Sequence, residues 1–584
     1  MFKLINTKVI LAVVASAFML AACDKSEDKG DASILSSEDT ILQYVPADTP
    51  YVFANVEPLP DDLMDKLEPK IERLLQSYQS MLHAVIATKQ AKLSEEERNS
   101  EKYQSANAVI DELMTMLSVE GMREAGIARD ATGVFYGNGL LPVARVELSD
   151  GALFDAAISR LEKQAGHELP VADIGGNSIR YFDADKIKIV LGVMNDQAIF
   201  TMVPASFDDG QIGQVLGLEL PDSNIAASGK LQKIATEYGF TNHYVGYFDV
   251  QAIAERFVGA ASGLDADLLG LMEHDQQELS DVCRAEIRSI AAIVPRMVLG
   301  YTDISVDKLD STVVIEVRDD IAAGLQALPA AVPGLGGDKG ALMSFGMSID
   351  VKAARDFVEA RLDAMEAEPF ECEHFAELQA GVAGARGALN QPVPPMVYDF
   401  KGFLTVIDEI EGLDVATQTP PTSVDGSFLL AMDNPHALVS LGAMFSPELA
   451  GMNLQPDGKP VPLDLPQMQA MGIAAFAALT DSALAISVGD DAASELKSML
   501  DADASDPSPF LSFSMDAARY YGFLGEAMAA GGKNKDQENA PSPEMQAAMQ
   551  EIMEAIAAVY DRMSADIRLT ARGVEVESSV TLQD

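Results

Sequence analysis

The sequence predicts an α+β protein made of two similar lobes from an internal duplication, each an antiparallel sheet covered by long amphipathic helices. The same order of elements occurs twice, on either side of a Pro/Gly-rich stretch at Pro329 to Gly340. Runs that alternate apolar and polar residues are joined by short turns, and such hairpins supply antiparallel pairs. Between them lie segments with apolar residues every three or four positions, which mark helices that bury one stripe. A chain of 584 residues exceeds what one core usually organises, and 48% apolar with 22% charged residues is the composition of folded chain.

The chain opens with Lys3 and Lys8, an apolar run from Val9 to Leu20, and the small residues Ala21 and Ala22 before Cys23. That pattern is a signal peptide over residues 1–22, and the run is too short for a membrane-spanning helix, which needs about 20 apolar residues. Leu20-Ala21-Ala22-Cys23 resembles the lipobox of bacterial lipoproteins. The resemblance implies a diacylglycerol, with fatty acids such as palmitate, on the Cys23 sulfur and a mature chain that begins there. It places the protein in the cell envelope, anchored by lipid and facing the periplasm. Asp24 resembles the inner-membrane retention signal of enteric bacteria, while Lys25 keeps the outer membrane open as an address. Asp24 to Thr40 is polar and charged apart from Ile34-Leu35, so residues 23–44 read as the lipidated cysteine and a flexible tether. Stretched out, Asp24 to Thr40 would reach about 55 Å.

The first lobe, residues 45–328, begins with a strand at Tyr51 to Val56 that feeds a helix from Asp61. Leu63, Leu67, Ile71, Leu74, Tyr78, Met81 and Val85 form its apolar stripe, with Pro69 as a kink. Ser94 and Glu97 make a capping box for the next helix. Hairpins follow at Gly133 to Leu148 and at Lys186 to Val203, the latter turning at Asn195-Asp196. A second strand-to-helix step starts at His243, and a hairpin at Met297 to Val317 closes the lobe.

Past the linker, residues 329–341, the second lobe, 342–584, repeats the order. Its opening strand is Leu342 to Ile349, and its hairpins are Tyr398 to Met432 and Ala474 to Val488, turning at Asp481-Ser482. The second strand-to-helix step begins at Pro509. A helix with the stripe Met545, Met549, Ile552, Ile556, Val559 and Met563 then leads to a final hairpin at Ile567 to Leu582. In that hairpin Val574, Val576, Ser578 and Val580 point one way and Glu575, Glu577 and Ser579 the other, so one face is polar. Aspartates at four strand-to-helix junctions, Asp249, Asp350, Asp433 and Asp516, read as N-caps, because a carboxylate there accepts from the free N–H groups of the first turn.

The net charge, 41 − 90 = −49, repels phosphate backbones and excludes nucleic acid as a partner. Anionic headgroups are repelled too, so contact with the membrane depends on the lipid anchor. Setting Cys23 aside, Cys283 and Cys372 are an even pair in a compartment where disulfides persist, and they are expected to bond. The chain has no G-x-S-x-G elbow, phosphate-binding Walker loop or H-E-x-x-H motif. His274 and His374 are flanked by acids, but no two histidines stand at metal-ligand spacing. Asp183 with Asp185, and Asp501 with Asp503 and Asp506, lack the glycine and distal glutamate of a calcium loop and read as solvated turns. No catalytic, cofactor-binding or metal-binding residue is assigned.

Val45-Pro46-Ala47-Asp48-Thr49-Pro50-Tyr51-Val52-Phe53 resembles the opening of a family of uncharacterised secreted and lipid-anchored bacterial proteins, in which a Pro-Ala-Asp-Thr turn feeds the first strand. The resemblance implies an envelope protein and carries over no functional residue. Three readings of function follow. The first is a non-enzymatic lipoprotein that binds or scaffolds another envelope protein. The second is a carrier of lipid or another apolar ligand in a groove between helices and sheet, which the 27 methionines could line. The third is a hydrolase with a dispersed site.

Overall fold

The computed structural model describes residues 34–37, 40–90, 93–260, 263–272, 279–412, 421–444, 454–463, 472–531 and 542–584. Of the described residues, 43% are helical and 28% are strand, the mixed class that the sequence predicts. The strands of the first half are β1 Tyr51–Asn55, β2 Gly133–Asn138, β3 Leu141–Glu147, β4 Val171–Ile174, β5 Asn177–Ala184, β6 Ile187–Met194, β7 Gln197–Pro204, β8 Val245–Asp249, β9 Arg296–Ser305 and β10 Lys308–Glu316. Those of the second are β11 Met343–Ser348, β12 Phe400–Glu411, β13 Ser423–Met432, β14 Val461–Pro462, β15 Ala475–Leu479, β16 Ala483–Val488, β17 Leu511–Asp516, β18 Tyr560–Thr570 and β19 Gly573–Leu582. The final hairpin thus starts at Tyr560, earlier than its alternation suggests. The hairpin of β4 and β5 and the short β14 are not visible in the sequence pattern.

All these strands join one 19-stranded antiparallel sheet. Its spatial order is β4-β5-β6-β7-β3-β2-β1-β8-β9-β10, then β19-β18-β17-β11-β12-β13-β16-β15-β14. Read outward from the β10–β19 pair, each side presents its closing hairpin, the strand before it, its opening strand, its first hairpin and then its second. The central pair runs from Lys308 opposite Thr581 to Glu316 opposite Gly573, with Thr312 against Glu577 at the middle. The β6–β7 hairpin turns where the sequence places it, with Asn195 and Asp196 at φ 52° and 53°, the left-handed conformation that a tight hairpin turn requires.

One face of the first half is a closed core. Val52, Tyr247, Val298 and Val314 lie side by side across β1, β8, β9 and β10, all fully buried. The helices Asp209–Leu216, Ile225–Ser228 and Lys230–Tyr238 cover them, together with two single turns at Ile34–Ser36 and Ile41–Tyr44. Leu35, Ile41 and Leu42 are fully buried, so these residues, which the sequence assigns to the tether, are part of the folded body. The mean polarity of the tether hides two apolar pairs, each enough to dock one turn. Tyr44 also lays its ring 3.9 Å from the guanidinium of buried Arg145, whose N–H groups donate to Tyr136, Gln197 and the Leu216 carbonyl.

The Pro/Gly stretch behaves in the same way. Val332 and Leu335 are buried among Leu404, Leu429 and Leu496, the last on the helix Ala492–Leu500. Gly337 N donates to the Asp566 carboxylate at 3.2 Å and Lys339 N to Ser514 Oγ at 3.3 Å, so the connection is a strap fixed to the sheet.

The helices Asp61–Gln90 and Pro543–Val559 pack against each other on the opposite face. Asp61–Gln90 runs unbroken through Pro69 and buries Leu63, Leu67, Leu75, Ser77 and Ala84, while Tyr78 is exposed. The buried stripe therefore steps to Leu75 instead of Leu74, and Ser77 Oγ donates to the Glu551 carbonyl of the partner helix at 3.3 Å. In Pro543–Val559 the buried positions are Ala548, Ile552, Ala555 and Val559, with Met545 and Met549 half-buried and Met563 in β18.

Candidate functional site

Helices occupy both faces of the sheet, but on the face opposite the closed core they leave a long apolar strip open. Directly paired residues in a sheet share a face, so the register traces the strip strand by strand. It begins at Leu191, Phe200 and Ala144 on β6, β7 and β3 and continues through Phe135 and Phe53. Gly246 follows, and Phe53 lies across the space that a side chain there would fill, its Cδ1 2.6 Å from an ideal Cβ. Leu299 and Val313 lead to the junction, Val576, Ile567 and Leu511 carry the strip over it. Met347, Phe403 and Leu430 carry it to β13, and the row is covered at both ends, Leu484 and Leu479 packing with Leu454 and Leu463, and Leu191 with Phe154 and Ile158. No polar side chain interrupts this row.

The strip is accessible where its aromatic rings stand. Phe135 and Phe345 are each 43% exposed, Phe428 39%, and Phe248 and Ile486 36%. Large apolar groups exposed together on one face mark a binding surface more often than single ones do. In the first half Tyr51, Phe53, Phe135 and Phe248 form one ring cluster with centroids 5.7–6.2 Å apart; Phe345, Phe403 and Phe428 form another at 5.7 and 6.1 Å. Beside the second cluster Met343, Met515 and Met563 pair across β11, β17 and β18; Met343 and Met563 are half-buried, whereas Met515, like Met64 and Met114, is buried.

Helices border the strip at both ends of the central strands. Asp61–Gln90 and Pro543–Val559 pack on Leu309 and Val580 at one end. Ile321, Ala322 and Leu325 of the helix Asp319–Gln326, with Phe357, pack on Val317 at the other. Asp320 pairs there with Arg318 and, at 2.8 Å, with Arg361, and these hydrogen bonds hold its carboxyl well below the usual range. Burial raises the Tyr301 and Tyr560 hydroxyls. On the reverse side the junction is polar. Thr312 pairs with Glu577, Glu577 with Asp566, and buried Glu575 is held by Arg572 at 2.7 Å. The alternation of the final hairpin is thus realised with its apolar side open and one of its glutamates buried.

Cys283 and Cys372 form a disulfide, S–S 2.07 Å and Cα–Cα 4.8 Å, joining the helix Asp281–Ala291 of the first half to the short turn Glu373–Phe375 of the second. Glu286 on the same helix accepts from the backbone N–H of Glu371 at 2.7 Å and of Cys372 at 3.1 Å. Asp249, Asp350 and Asp516 cap helices through Ala252, Ala353 and Arg519 N–H. Asp433 does not; Asn434 caps Pro435–Ala443 instead, because Pro435 takes the first helical position, and Asp433 pairs with Lys401 at 3.2 Å. The Ser94–Glu97 capping box forms as read. Asp183, Asp185, Asp501, Asp503 and Asp506 are exposed, and no group of acids, histidines and cysteines among the described residues is arranged to hold a metal ion. Cys23, the signal segment and His274 lie outside the described residues. Among the described residues no helix is long and apolar enough to cross a membrane.

The sequence reading missed the open strip, although the valines of the final hairpin are its central segment. No family model, curated protein or solved structure matches the chain.

Proposed function

We propose that this is a lipid-anchored protein of the cell envelope, facing the periplasm, that carries a lipid or another apolar ligand on its open sheet face without transforming it. The observation that supports this reading is the uninterrupted apolar row, whose stretch from Phe135 to Leu430 is partly open to solvent in a chain with 90 acidic residues. The mirrored strand order on either side of β10 and β19 supports descent of the two halves from one duplicated unit. The lipobox supports the anchor, and Cys23 stands close in sequence to Leu35, which is buried in the body.

Two measurements test the reading. Labelled palmitate is expected in the native chain and not in Cys23→Ser. Solvent extracts of the chain from Asp24 onward, passed to the periplasm behind a cleavable leader, should contain lipid in near-stoichiometric amount. Replacing Phe135 and Phe345 by Ser should cut that amount at least threefold. An empty body that crosslinks reproducibly to one envelope protein would favour the scaffold reading instead.

A further inference from the structure

We infer that the two halves share one continuous binding floor, which takes the acyl chains of a zwitterionic lipid along its length and across the β10–β19 junction. This rests on the apolar-ligand reading and goes beyond it in naming the ligand class and the shape of the site. Two independent sites, one per half, would be separated at the junction by a polar barrier or a packed helix. Instead Val313 faces Val576 in the central pair, flanked by Leu299 and Ile567, and all four are only half-buried. The polar groups of the same strands, Thr312, Glu575 and Glu577, point to the other face.

Length selects hydrocarbon. From Phe135 on β2 to Leu430 on β13 the sheet takes ten strand steps, β2-β1-β8-β9-β10-β19-β18-β17-β11-β12-β13, about 48 Å at 4.8 Å each. That exceeds the roughly 30 Å hydrocarbon thickness of a bilayer, so the floor accommodates more than one acyl chain end to end. An added β-strand cannot bind there, because the backbone groups of the floor are already paired within the sheet. Charge selects the headgroup: a net charge of −49 disfavours an anionic lipid and tolerates a zwitterionic one.

The test uses the full chain mixed with vesicles of phosphatidylethanolamine and phosphatidylcholine containing a phosphatidylethanolamine with a photoactivatable acyl chain, followed by mass-spectrometric mapping of labelled peptides. Labels are expected on β1 and β2, on β10 and β19, and on β11 to β13. Val313→Lys is expected to reduce total labelling at least threefold while keeping a cooperative thermal transition. If Val313→Lys does not fold, Val576→Lys replaces it, and the wild-type map decides by itself if both fail. Labels in each half with none on β10 or β19, unchanged by the junction variants, would overturn the shared floor and leave the apolar-ligand reading standing. Labelling as strong with phosphatidylglycerol vesicles and a phosphatidylglycerol probe would overturn the headgroup preference. A map with no label on the open face would overturn the inference and that reading together.

Discussion

Glu286 engages both backbone N–H groups at the start of the second half's short turn, and the disulfide lies beside it. Glu286→Ala leaves those donors without their carboxylate and should lower stability by about 1–2 kcal/mol in denaturant titrations. A different carboxylate pair works against the fold at neutral pH. Burial raises Asp408, helped by Asp425, with Arg519 opposing; burial also raises Glu495, with Asp408, Asp425 and Asp491 adding and Ser487 opposing. An acid raised in the folded state gives stability that is complete below its unfolded value and is lost as pH rises through the folded one. Asp408→Asn should therefore be more stable than the native chain at pH 7, with the difference shrinking toward pH 4; thermal midpoints across that range check it. Asp433 and Asn434 mark how finely residues can be read in advance. Both are good cap residues, and only the proline at the first helical position, with the strand ending at Met432, decides between them.

At the scale of elements, hairpins with strong alternation and a turn dipeptide were legible, because both signals are local. Val171–Ile174 and Ile34–Ser36 were not: each is short, and each is defined by the surface it docks on. The open strip was hidden for a related reason. Each strand shows only its own alternation, and the row exists only once the register places Val313 opposite Val576 and Phe53 opposite Phe135. The disulfide, by contrast, was legible from cysteine parity, Cys283 and Cys372 being an even pair once Cys23 is set aside. It closes a loop of 89 residues around the connection between the halves, and loop-closure entropy puts its contribution at about 4–5 kcal/mol. The Cys283→Ser/Cys372→Ser protein should lose that amount in denaturant titrations.

The halves of the molecule are crossed rather than merely joined. The first long helix of the first half packs on the last helix of the second, while the helix before the closing hairpin of the first half is bonded through Cys283 to the segment after the first long helix of the second. The helices before the two closing hairpins even begin alike, Ser280 capping through Cys283 N–H and Ser542 through Met545 N–H. The order of elements was legible along the chain, whereas this exchange of helices was not, since periodicity says which stripe is buried but not against which partner. Its consequence lies in time. Lys66 donates to the carbonyl of Leu582, 516 positions away, and Ser77 to that of Glu551, 474 away. A chain that emerges from its N-terminus has made its first long helix long before the partner of that helix exists. The part of the Asp61–Gln90 stripe that packs on Pro543–Val559 must therefore wait until almost the last residue has appeared, although Ile304 and Leu309 of the first half cover the rest, so that completion of this face is a late event in folding.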